Sequence, residues 1–191
     1  MNEFYEKHHQ QYFDDTVAIN PASFLEPLVD VLDPGASILD VGCGSGRDLL
    51  WFKQHGFKPT GFEQSPGLVQ LAQKHSGCPV IEGDFFHFDF SFLHFDALIS
   101  VGSLVHVPAE IFEKTLLHIV KALSSEGVML ITLKEGEGLS HAGDGRIFTL
   151  WSPDTLENIF SKNNFELINF SRKISKLRSD DIWLGYVLKV E

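Results

Sequence analysis

Three glycines at alternate positions, Gly42, Gly44 and Gly46, follow the apolar run Ser37-Ile38-Leu39-Asp40-Val41 and precede a segment of helical periodicity. Such a loop turns sharply and exposes bare backbone at a helix start, which suits nucleotide-like ligands. The spacing narrows the choice. Dinucleotide sites use GxGxxG, with the third glycine where the helix meets the sheet. Here the pattern is GxGxG, with Cys43 and Ser45 between the glycines. One acid, Asp40, stands just before the loop. Another, Glu63, ends the next strand, 21 residues after Gly42, where a carboxylate can accept both hydroxyls of a ribose.

Other chemistries find less support. Cys43 and Cys78 form no CxxC pair, and the nine histidines show no zinc-ligand spacing beside them, so no metal site is expected. Cys43 reads as a small loop residue rather than a nucleophile. Arg47 lies in a helix's first turn, where a cation opposes the macrodipole. It therefore needs an anionic partner, either a bound carboxylate or a neighbouring Asp or Glu. The formal net charge of −11, from 15 basic and 26 acidic residues, disfavours a polyanionic partner such as nucleic acid. The cluster Arg172, Lys173, Lys176 and Arg178 reads as a solvated hairpin tip. No apolar run reaches the ~18–20 residues of a membrane span, and the N-terminus lacks the flank and apolar stretch of a secretion signal. The expectation is a cytoplasmic protein with no membrane partner.

The positioning elements follow from periodicity. Short β-branched runs alternate with amphipathic segments, which indicates an α/β fold with a mostly parallel sheet. With 191 residues, 43% of them hydrophobic, the chain should form one domain, 1–191, with residues 1–33 as a helical cap. A helix is expected over 3–16, with Tyr5, His8, His9, Tyr12, Phe13 and Thr16 on one face, and a second over 21–32. Strands are expected at 37–41, 58–62, 79–81, 95–100, 127–133, 164–170 and 182–190. Helices are expected at 46–55, at 66–74, after Pro108 and after Ser152-Pro153-Asp154, the last two with marked start signals. The glycine-rich stretch 135–145 reads as a mobile loop. Of the 17 phenylalanines, those crowded between Phe85 and Phe92 should be mostly core, with some lining an aromatic pocket.

Taken together, Asp40-Val41-Gly42-Cys43-Gly44-Ser45-Gly46 resembles the signature of class I S-adenosylmethionine (SAM) dependent methyltransferases. Three further stretches resemble that family in order and spacing: Gly61-Phe62-Glu63-Gln64-Ser65, Glu82-Gly83-Asp84-Phe85, and Phe95-Asp96-Ala97-Leu98-Ile99-Ser100-Val101-Gly102-Ser103-Leu104-Val105-His106-Val107-Pro108. The resemblance covers about 4–190. It implies a Rossmann-like three-layer sandwich with a seven-stranded sheet ordered 3-2-1-4-5-7-6, strand 7 antiparallel, and SAM as cofactor. It also implies roles. Gly42, Cys43 and Gly44 would contact the methionine part through backbone, and Asp40 would brace the loop. Glu63 would hold the ribose hydroxyls, with Gln64 beside the adenine. Asp84 would meet the adenine amino group, with the Phe85 amide on the ring. Ser100, Val101 and Gly102 would present backbone near the methionine part.

The acceptor is less specified. Base-modifying members carry an Asn- or Asp-Pro-Pro-aromatic segment after strand four, where this chain has Ser100-Val101-Gly102-Ser103. A small-molecule acceptor is expected, with Tyr12, His106, Arg146, Phe148 and Trp151 at the pocket's edges. The stripe of Tyr5 and Tyr12 suggests a lid that also places Tyr12 against the cofactor. His106 is the candidate catalytic residue, as a base or a hydrogen-bond partner for the acceptor; the competing role is a histidine bonded to nearby backbone. A SAM-binding module without turnover and a nicotinamide-dependent oxidoreductase remain as alternatives.

Overall fold

The structure is a computed structural model, and it describes residues 2–175 and 181–190. The chain begins with three short helices, α1 (Asn2–Lys7), α2 (His9–Thr16) and α3 (Ala22–Val29). The single helix expected over 3–16 is broken at His8, whose ψ of 20° leaves the helical region. The break fans out the aromatic face. Tyr5 and Tyr12 stay together at 5.1 Å, His8 turns onto Phe4, and Phe13 onto His75.

Alternating strands and helices follow: β1 (Ser37–Val41), α4 (Arg47–Gln54), β2 (Lys58–Glu63), α5 (Pro66–Ser76), β3 (Val80–Glu82), β4 (Phe95–Val101), α6 (Ala109–Ile119) and β5 (Leu123–Glu135). Then come β6 (Leu139–His141), β7 (Ile147–Trp151), α7 (Pro153–Lys162), β8 (Phe165–Ile174) and β9 (Ile182–Val190). Local chemistry sets several starts. Ser65 and Ser152 accept from the third backbone N–H beyond them, each followed by a proline in the first helical turn.

The main sheet runs β3-β2-β1-β4-β5-β9-β8, parallel through β5 and antiparallel at β9 and β8. This is the expected order, with the last two strands renumbered because two more precede them. Those two, β6 and β7, correct the expected mobile loop. They pair antiparallel through Leu139–Thr149, Ser140–Phe148 and His141–Ile147. β7 also pairs with Lys134 and Glu135 of β5, beyond the last β4 pair at Thr132. The hairpin thus extends the sheet past the carboxyl end of β4.

Both sheet faces are buried, as strand alternation dictates. Ile38, Ala97, Ile99, Val128 and Leu130 face Leu25 and Leu28 of α3 and Phe52 of α4. Leu39, Val41, Leu98, Met129 and Ile131 face α6, α7 and the phenylalanine block. Phe90 is fully buried there, whereas Phe92 is 80% exposed. In the basic cluster, Arg172 pairs with Glu135, and Lys173 donates to the Ser23 carbonyl. Lys176 and Arg178 lie outside the described residues. No helix among the described residues is long and apolar enough to cross a membrane.

Candidate functional site

In open α/β sheets ligands bind beyond the carboxyl ends of strands, where strand order reverses. Here the reversal lies between β1 and β4, and a cleft opens above it. Gly42, Gly44, Phe62, Glu63, Gln64, Asp84, Phe85, Phe86, Gly102, Ser103, His106, Tyr5 and Tyr12 are among its walls.

The glycine loop is held by its own hydrogen bonds. The N–H groups of Gly42 and Cys43 donate to Phe62 O at 2.7 and 3.2 Å, and Gly46 N–H donates to Cys43 O. Gly44 N–H donates to the Glu63 carboxylate at 3.0 Å. These four N–H groups are therefore engaged inside the protein. What the loop offers is close approach. Gly42 has φ +77°, and a Cβ there would lie 2.3 Å from Ser103 Cβ. Ser103 fixes this contact by donating to Val41 O at 2.6 Å and sharing a 2.7 Å hydroxyl contact with Ser100.

Glu63 accepts from Gly44, Gln64 and Ser65 N–H groups at 2.9–3.0 Å. Burial raises its pKa, opposed by those three donors. Asp40 is 2% exposed. Its Oδ2 has no hydrogen-bond partner among the described residues. Burial and nearby Asp48 push its pKa well up. Asp84 caps its own turn, accepting from Phe86 N–H at 2.9 Å and pairing with His87 at 2.9 Å, while still lining the cleft. Cys43 is buried beneath the loop, and burial raises its thiol pKa well above the usual value, against a nucleophilic role. Arg47 finds its partner in Asp48, through two contacts of 2.6 and 3.0 Å. It faces a second cavity rather than the cleft.

That second cavity, about 190 Å³, adjoins the first, and both share Tyr5, Tyr12 and Gly102. Val101, Thr132, Lys134, Arg146, Phe148 and Trp183 also line it. Trp151 does not. It packs at 4.6 Å from Phe112 in the core, because β7 alternation turns it away from Phe148.

The N-terminal helices span the two halves. On one side Ser65 Oγ donates to Glu6 at 2.6 Å, and a Cβ on Gly67 would lie 2.5 Å from the His9 ring. On the other, Tyr5 meets His106. His106 Nδ1 donates to the Ile147 carbonyl at 2.6 Å, so Nε2 is the acceptor of the Tyr5 hydroxyl at 2.7 Å. The ring lines the cleft but both nitrogens are engaged. His106 thus makes a backbone bond, to Ile147 of β7 rather than near the start of α6, and holds Tyr5.

Burial pushes the His106 pKa down to about 4. Between its ordinary ~6.5 and that value the unfolded chain takes up the proton first, so this contribution to stability is lost as pH falls through the window. Asp40 and Glu63, with raised pKa values, act in the opposite sense. The comparison that isolates His106 is with His106→Gln. Urea unfolding at pH 7 and 4.5 should show the unaltered protein losing about 2 kcal/mol more than the variant. Equal losses would contradict the neutral, engaged ring.

Sequence reasoning missed Lys134, Trp183, Phe24 and Ser103, and gave Tyr5 only a place in the lid. Lys134 had a signal: a cation directly after the apolar run 127–133.

A family model described as a methyltransferase domain matches residues 8–169. The 2-methyl-6-phytyl-1,4-hydroquinone methyltransferase of Synechocystis sp. is 35% identical over 99 residues, a match taking in 49% of this chain and 31% of that protein. The chain thus spans about a third of that relative's length. Among solved structures, the 1,6-didemethyltoxoflavin-N1-methyltransferase of Burkholderia thailandensis, with bound 1,6-didemethyltoxoflavin and S-adenosylhomocysteine, has a TM-score of 0.74 at 20% identity, covering 97% of this chain and 84% of its own. A TehB-like SAM-dependent methyltransferase from Corynebacterium glutamicum has a TM-score of 0.71 at 21% identity, covering 100% of both chains. The two structures share this fold.

Proposed function

Since the chain belongs to the class I SAM-dependent methyltransferase family, we propose that it moves the methyl group of SAM onto a small-molecule acceptor seated in the second cavity. On this reading residues 1–191 act as one domain, and 1–33 cap it. The observation that carries it is the charge of the first cleft. Its wall holds the carboxylates of Glu63 and Asp84 and, among the described residues, no Lys or Arg. That suits a cofactor with a sulfonium and an ammonium group. It does not suit the pyrophosphate of a nicotinamide dinucleotide, which the two carboxylates would repel.

The residues present fit SAM. Gly42 and Gly44 leave room where any Cβ would collide with Ser103 or approach Tyr12 at 3.1 Å. Glu63 has lone pairs beyond those used by its three N–H donors. Gln64, Asp84, Phe85 and Phe86 form the wall for the base. Gly102 borders both cavities and Val101 the second, while Ser100 is fully buried. Asp40 is buried beside the loop, where burial and nearby Asp48 favour its neutral form.

When bound, SAM would supply an electrophilic methyl, the acceptor's lone pair forming the new bond as the C–S bond breaks with the electron pair left on sulfur, and an O–H or N–H acceptor would lose its proton to solvent water. The chain's own work is alignment, worth ~7–11 kcal/mol in favourable cases. Tyr5 and Tyr12 stand at the junction of the cavities and exclude water. The Tyr5 hydroxyl, donating to His106, keeps an oxygen lone pair to accept from an acceptor O–H or N–H.

Calorimetry should show micromolar binding of SAM and S-adenosylhomocysteine and none of NAD. Incubation of methyl-labelled SAM with a small-metabolite extract should then yield a labelled product. Tight NAD binding without SAM binding would overturn the reading. SAM binding with no transfer to any extract component would favour a module that only binds.

A further inference from the structure

The two cavities differ in the charged groups they expose. Among the described residues the first presents Glu63 and Asp84 with no Lys or Arg, and burial holds His106 there in the neutral form. Among the described residues the second presents Arg47, Lys134 and Arg146 with one carboxylate, Asp181. Asp48 and Asp144 pair with Arg47 and Arg146 but are not part of the wall. Each cation thus has one paired carboxylate, and the cavity is set apart by guanidinium and ammonium donors facing inward while Asp48 and Asp144 stand behind the wall.

Lys134 is the central cation. It is 4% exposed, yet it stands at the carboxyl end of β5, where ligands bind. Its ammonium donates to Asp181 at 2.6 Å and lies 4.0 Å from the centre of the Phe148 ring and 5.6 Å from that of Trp183. An ammonium has three donors, so Asp181 uses one. The other walls are flat and apolar: Tyr5, Tyr12 and Phe24, with Phe148 and Trp183. The volume of about 190 Å³ exceeds the ~150 Å³ of a cavity that accommodates one benzene ring.

We infer that the second cavity binds an aromatic acid: a planar ring bearing a carboxylate directed at Lys134, with its nucleophilic hydroxyl or amine turned toward Tyr5 and the cofactor cleft. The inference rests on the methyltransferase reading and adds the substrate class. The aromatic walls take the ring, and the cationic wall takes the acid. The geometry orders the two ends, since Tyr5 borders both cavities and Lys134 only the second.

The test is calorimetric titration of the full chain saturated with S-adenosylhomocysteine. The probes are 4-hydroxybenzoate, 3,4-dihydroxybenzoate and salicylate, each against its neutral counterpart, phenol or catechol. At least one acid should bind tenfold or more tighter than its counterpart. Lys134→Gln should abolish that preference while S-adenosylhomocysteine still binds. Should Lys134→Gln fail to fold, Arg146→Gln, on the partly exposed rim, should cut the acid's affinity several-fold and leave the neutral probe's unchanged. Equal binding of acids and neutral probes, no binding of any acid, or a preference surviving in the folded variants would overturn the inference alone. Absence of S-adenosylhomocysteine binding would remove the methyltransferase reading, and this site with it.

Discussion

Glu63→Ala is expected to weaken SAM binding by roughly 10²–10⁴-fold. On the proposed reading the carboxylate accepts two ribose hydroxyls, and each charge-assisted bond contributes ~1.5–3 kcal/mol. The structure adds a second effect that the sequence did not suggest. The same carboxylate accepts three backbone N–H groups, from Gly44, Gln64 and Ser65. Truncation leaves those donors without an acceptor in a buried loop, at ~1–3 kcal/mol for each that stays dry. The variant should therefore melt at a lower temperature as well as bind poorly. Binding is to be measured by calorimetry well below the variant's melting transition, with circular dichroism confirming the fold. Unchanged affinity in the folded variant would show that Glu63 only braces the loop.

Tyr5→Phe is expected to lower kcat by roughly 10²-fold or more once an acceptor is known, with SAM affinity changed little, because the ring stays in place. The lost group is the hydroxyl that donates to His106 Nε2 at 2.7 Å. Nδ1 of that ring is fixed on the Ile147 carbonyl, and Arg146 also bears on the Tyr5 hydroxyl. On the proposed reading His106 acts through Tyr5 as a positioning residue, so His106→Gln should impair the same step. The double variant should then be no worse than the poorer single one, since residues acting as a unit are non-additive. A purely structural His106 would lower stability without shifting kcat. Full turnover in folded Tyr5→Phe would sink this role.

Local chemistry made much of the fold legible. The short apolar runs at 37–41 and 95–100, the stripe of Phe112, Leu116 and Ile119, and the Ser-Pro starts of α5 and α7 depend on neighbours within a turn or two. The same holds for the glycine loop. Its three left-handed glycines are demanded by a turn whose form is set within a few residues. The β6–β7 hairpin was not legible, because glycines in 135–145 weaken the alternation that marks strands. Only pairing with the end of β5 gives that segment its register.

The sequence by itself determined the α/β order, the strand ends that carry Asp40, Glu63 and Asp84, and the type of ligand loop. Tertiary structure alone decided which polar groups remain available to a ligand. Tyr5 and His106 are 101 residues apart, Lys134 and Asp181 are 47 apart, and Glu6 and Ser65 are 59 apart. The loop's N–H groups at Gly42 and Cys43 found their acceptor, the Phe62 carbonyl, only once β2 lay beside β1. A side chain's chemistry depends on its partners, and the partners here are brought together by the order of strands in the sheet. That is why residue types foretold the cofactor cleft, while the cationic, aromatic-walled second cavity became visible only when β5, β7, β9 and the N-terminal helices met around Lys134.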